Sequence, residues 1–79
     1  MEMQELSQEW LVANSIARSK EAQGLLNKLN DLQVWNIQGL IALGEENETA
    51  FLETKGIALG HASAIKKYAR QAQASQQGI

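Results

Sequence analysis

The stretch Lys55–Arg70, KGIALGHASAIKKYAR, constrains the fold of this chain more than any other. Gly56 and Gly60 bracket Ile57-Ala58-Leu59, and a helical stripe of Ala62, Ile65, Ala69 and Ala72 follows at once. Gly56 can take a positive φ with no Cβ to clash, which suits the position just past a helix end. Gly60 stands where the next helix begins and is expected to let another backbone come close. The segments upstream read as short helices that cover this last one.

Apolar spacing sets those segments. Leu6, Trp10, Ala13 and Ile16 or Ala17 predict a first helix over about 7–18, with Ser7 as N-cap, Glu9 in the first turn and Trp10 as a core anchor. Ser19 is expected to cap a second helix carrying Ala22, Leu25, Leu26 and Leu29. With no proline in the chain, one helix over 7–30 is the alternative. Gly24 lies inside that pattern and costs about 1 kcal/mol relative to alanine, so it marks a break or a close helix crossing. Asn30-Asp31 reads as a turn, and Leu32, Val34, Trp35 and Ile37 as a connection whose side chains plug the core.

Gly39-Leu40-Ile41-Ala42-Leu43 supplies a short third helix stopped by Gly44. Glu45-Glu46-Asn47-Glu48 places acids and a cap at the start of a fourth, with Ala50, Phe51 and Leu52 on its buried side and Gly56 at its end. The fifth helix runs over about 60–73 with Tyr68 half-buried, and the polar tail after it is expected to fray. The expected fold is all-α: one small domain, a compact five-helix bundle ordered over about 6–73, with the longest helix last. Its core is expected to hold Trp10, Leu25, Leu29, Leu40, Leu43, Phe51, Leu52, Ile57 and Ile65.

Catalysis needs a constellation that this sequence does not spell. There is one histidine and no cysteine, and no P-loop, Gly-x-Ser-x-Gly or HExxH pattern. His61 alone cannot make a zinc site, which wants three or four ligands. Glu45 and Glu46 are neighbours that diverge on a helix, a poor acid–base pair. The chain is therefore expected not to be an enzyme, to use no cofactor or metal, and to have no small-molecule substrate. No apolar window is long enough to span a bilayer, no signal peptide is evident, and a cytosolic or nuclear location is expected.

Charge is unevenly spread. Residues 1–56 carry all nine acids against four cations, a balance of −5, while residues 57–79 carry Lys66, Lys67 and Arg70 with no acid, a balance of +3. An acidic body with a basic last helix favours head-to-tail self-association or an acidic partner. Cations late in a helix also suit its dipole, and Glu45, Glu46, Glu48 and Glu53 also read as an ordinary solvated face.

Two families share features with these residues. Gly39-Leu40-Ile41-Ala42-Leu43, then Gly56-Ile57-Ala58-Leu59-Gly60-His61 leading to Ile65, resembles the sterile alpha motif (SAM) domain over about residues 6–72. Ala62 departs from it, standing where that family usually has a basic residue. The resemblance implies a protein-interaction module pairing an acidic middle surface of one copy with the start of the last helix on another. Carried onto this chain, the second surface comprises Ala58, Leu59, Gly60, His61 and Lys66. Charge places the acidic one at Glu45, Glu46, Glu48 and Glu53. The partner is thus expected to be a protein, either this chain itself or another helical domain, and not a membrane. Gly56-Ile57, Ala62 and Ile65 also resemble a helix-hairpin-helix nucleic-acid binder, with Ala58 where that family has its second glycine. Few cations on a net acidic chain make nucleic acid the secondary expectation.

Overall fold

The computed structural model describes residues 4–77, with side chains through Ala74. Five helices follow in order: α1 Gln8–Ala13, α2 Ser19–Asp31, α3 Ile37–Glu46, α4 Thr49–Thr54 and α5 Leu59–Gln77. The fold is an all-α bundle whose longest helix comes last, as the sequence predicts. Helix α5 runs through Gln77, four residues past the expected end at about 73, and Gly78 and Ile79, the end of the tail expected to fray, lie outside the described residues.

Helix α1 begins where Ser7 Oγ accepts from the Trp10 amide at 3.1 Å. It stops at Ala13, five residues short of the expected end, because Ser15 turns left-handed at φ 60°. That turn aims the Ile16 and Ala17 amides at the Leu11 carbonyl and buries Leu11, Ile16 and Ala17. Residues 7–30 therefore form two helices. Ser19 is the first residue of α2 and not its cap; that place falls to Arg18, in extended backbone. Helix α2 continues through Asn30-Asp31, and the reversal falls two residues later, at Gln33 with φ 64°. Gly24 makes neither a break nor a close crossing, since a Cβ there would meet nothing within 4 Å.

The connection after α2 is only partly a plug. Val34 is buried and Leu32 and Ile37 are half-buried, but Trp35 is 58% exposed. Residues 4–6 lie antiparallel to it, with the Leu6 amide on the Trp35 carbonyl and the Ile37 amide on the Gln4 carbonyl, both at 2.9 Å. Two ladder bonds fix the backbone here, so the tryptophan ring is left outside.

Gly44 does not stop α3; it lies within it and is buried. A Cβ at Gly44 would come 2.8 Å from Ala69 Cβ and 3.1 Å from the Ile65 carbonyl oxygen, so α3 and α5 cross at backbone contact. Because α3 runs on, Glu45 and Glu46 fall in its last turn and not at the start of α4, and Asn47 caps α3. Helix α4 is six residues long and buries Leu52, leaving Ala50 and Phe51 outside; Phe51 is 46% exposed and is not a core residue. The Lys55 ammonium covers its ring at 5.3 Å from the centroid. Gly56 then takes φ 90°, and the Ile57 amide reaches back to the Leu52 carbonyl as Ile57 buries.

The centre is apolar. Leu11, Leu29, Leu40, Leu52, Ile57 and Ile65 are fully buried, each contributing about 1.5–3 kcal/mol by leaving water. Ala62 and Ala69 complete the stripe of α5. Trp10 and Leu43 are half-buried against this core, Trp10 standing edge-on to Tyr68 at 5.0 Å between centroids and 86° between planes.

Candidate functional site

The α4–α5 turn builds the site. Once Gly56 has reversed the chain, Ile57 anchors it inside and Ala58 takes up the cap position of α5, its carbonyl accepting from the Ala62 amide at 2.8 Å. Ala58, Leu59 and Gly60 are thereby presented outward, with Leu59 55% exposed. Gly60 was expected to let another backbone come close, and no other part of the described chain does so, since a Cβ there would meet nothing within 4 Å. The space in front of it is open.

His61 is half-buried on the first turn of α5. Its Nε2 lies 3.4 Å from Glu21 Oε1 on α2, at the outer limit of hydrogen-bond reach. A hollow opens around this pair, walled by Ile16, Ala17 and Arg18 from the α1–α2 turn and by Ala58, Gly60 and Ala64 from α5. Arg18 and Glu21 thus face the start of the last helix, some forty residues away in sequence. Sequence reading placed neither there.

Lys66 lies on the other flank of α5. Its Nζ donates to the Gly44 carbonyl at 2.9 Å and the Asn47 carbonyl at 2.7 Å. The ammonium closes the C-terminal end of α3, whose unpaired carbonyls carry the negative end of the helix dipole. It also offsets Glu45 and Glu46, which stand at that unfavourable end. Lys66 is therefore not grouped with Ala58, Leu59, Gly60 and His61.

Glu45 and Glu46 border a separate groove with Lys66, Arg70 and Gln73, which shares no lining residue with the hollow at His61. Glu48 is the N-cap of α4 and makes no side-chain cap bond, and Glu53 is exposed on that helix. The four glutamates thus occupy the α3–α4 corner and α4, apart from the hollow at the start of α5.

Among the described residues no three His, Cys, Asp or Glu side chains converge as a metal site would require, and no helix is long and apolar enough to cross a membrane. Arg18, Glu21 and His61 line the hollow together with the open backbone at Gly60. No family model, curated protein or solved structure matches this chain.

Proposed function

We propose that this chain is a non-catalytic protein–protein interaction module of the sterile alpha motif kind. In this reading the acidic α3–α4 surface of one chain meets the start of α5 on another, homotypically or heterotypically. One observation carries it: Leu59 is a large apolar side chain left 55% exposed at a helix start. It stands beside Gly60 and His61 and apart from the groove that holds Glu45 and Glu46. An exposed apolar anchor ringed by polar groups is how a contact surface is built. Two surfaces of different charge on separate parts of one chain make a heterologous contact, which need not close into a ring.

Nucleic-acid binding through the glycine turn and the basic last helix has less support. Lys66 is committed to two carbonyls of its own chain, and the remaining cations of α5 would neutralise few phosphates. A cytosolic or nuclear setting fits a cysteine-free interaction module.

The test is light scattering after size exclusion, over a range of protein concentration at low and high salt. The expected result is a molar mass that rises with concentration and falls with salt. Replacing both Leu59 and His61 with glutamate should abolish the rise while leaving the helical circular-dichroism signal intact. A folded double variant that assembles like the wild type removes this surface from the reading. If the wild type stays near 8.7 kDa throughout, the homotypic form is excluded.

A further inference from the structure

The hollow at His61 is the middle of three adjoining hollows, a furrow crossed by the Glu21–His61 contact. Toward the end of α2 it runs into a second hollow over Gly24, Lys28 and Gly56, the two sharing Glu21, Ala58 and His61. In the other direction it meets a third, beside Lys67, Tyr68 and Gln71, the shared residues being Ser15 and Ala64. The central hollow alone measures about 730 Å³. From Ala58 to Gln71 the helix rises about 20 Å, which is the length of the furrow along α5.

Its charge inverts that of the molecule. Lys28 lies at one end, Arg18 in the middle and Lys67 at the other, against Glu21 as the one acid on the walls. None of these three cations makes an ion pair among the described residues, in a chain of net charge −2. The floor is bare over two of its glycines, while the Lys28 side chain lies over the third, Gly56. Gly24 and Gly60 line it, neither has a positive φ, and a Cβ on either would meet nothing within 4 Å. Neither backbone geometry nor internal packing calls for glycine at these two places, and Gly24 weakens the helix that carries it.

We propose that this furrow binds an extended acidic segment of a partner protein, its main chain running along α5 over Gly60 and Gly24 and its carboxylates meeting Arg18, Lys28 and Lys67. The proposal rests on the reading of the start of α5 as a protein-docking surface and names the partner's chemistry. An extended chain advances about 3.3 Å per residue, so six residues fill the furrow, and alternate side chains face the same way. Acids at every second position then reach cations spread along its whole length. The glutamates at the α3–α4 corner of a second copy are gathered within four residues and reach only part of it. Nucleic acid fits less well, because Glu21 sits in the middle of the track and three cations give little phosphate neutralisation.

Fluorescence anisotropy with a labelled seven-residue peptide of alternating glutamate and alanine tests this. Wild type should bind it, more weakly as salt rises. Arg18→Glu and Lys67→Glu, near the middle and one end, should each weaken binding about tenfold or more, since like charges are then juxtaposed. Arg70→Glu, on the opposite flank of α5, should leave it unchanged. Gly24→Gln should weaken binding while holding or raising the melting temperature, a combination that a structural role for Gly24 does not produce. Absence of binding, or equal losses from Lys67→Glu and Arg70→Glu, overturns the proposal. So does tighter binding of a single-stranded uridine heptamer than of the peptide. If the peptide fails while molar mass still rises with concentration and the Leu59/His61 double variant abolishes that rise, the extended occupant is wrong and the association surface stands. If both fail, both fall.

Discussion

The two flanks of α5 show how one helix serves folding on one side and is left open on the other. Against α3 the contact is closed: Gly44 admits Ala69 and the Ile65 carbonyl, and Lys66 ties down the α3 end through two carbonyls. Against α1 and α2 the same helix touches at Trp10–Tyr68 and Glu21–His61, but the space over Gly24 and Gly60 is open, and Arg18, Lys28 and Lys67 make no ion pair among the described residues. Lys66 and Lys67 are neighbours in sequence with different roles, because successive residues on a helix point about 100° apart. A helix with one closed flank already has its fold secured. The open flank is where substitutions are free to serve a partner.

The comparison breaks most visibly at Gly44. Gly44→Val should unfold the chain or lower its stability by about 3 kcal/mol or more, since the branched side chain meets backbone that cannot yield. Chemical denaturation read by circular dichroism checks this. Lys66→Met comes next: losing two charge-assisted, part-buried hydrogen bonds at the α3 end should cost about 1–3 kcal/mol. Lys67→Met, the same change one residue along, should cost less than about 0.5 kcal/mol, and equal losses would erase the distinction between the flanks. Phe51→Ala should be milder than removal of a core aromatic, at about 1 kcal/mol or less, because the ring is half outside with the Lys55 ammonium over it. A loss near 3 kcal/mol in thermal melting would place Phe51 in the core after all.

Much of the bundle is legible in the sequence because period and burial agree there. Ala62, Ile65 and Ala69 on α5, and Ala22, Leu25 and Leu29 on α2, lie inside as their spacing requires. The left-handed turn at Gly56 was readable from the residue itself. What failed has local causes. Ser15 and Gln33 take positive φ without being glycine, so no residue type marked either reversal. Leu11 falls outside the stripe of Leu6, Trp10 and Ala13, yet it is fully buried, because a six-residue helix can be set by the turn after it. Gly44 was read as a stop because a glycine ending a helix and one admitting a neighbouring helix look the same in one chain. That misreading also carried Glu45 and Glu46 to the wrong helix end. Leu59, Gly60 and His61 were named from the SAM resemblance, and the turn at Gly56 leaves Leu59 and Gly60 exposed and His61 half-buried. Arg18, Glu21 and Lys28 were missed because tertiary packing brings them there. The signal that could have found them is Gly24, a helix-interior glycine that nothing inside the molecule requires.

Gly24 and Gly44 therefore give the most direct measurement: thermal melts of Gly24→Ala and Gly44→Ala, run side by side with wild type. Gly24→Ala should raise the melting temperature, gaining about 0.5–1 kcal/mol of helix propensity where the added methyl meets only solvent. Gly44→Ala should lower it through about 1–3 kcal/mol of overpacking, and in a domain this small each kcal/mol moves the midpoint by about 4–8 °C. Shifts of opposite sign are what a closed flank and an open flank predict. If both variants melt lower by similar amounts, Gly24 is packed against something in the folded chain, and the open surface on which the functional reading rests is not there.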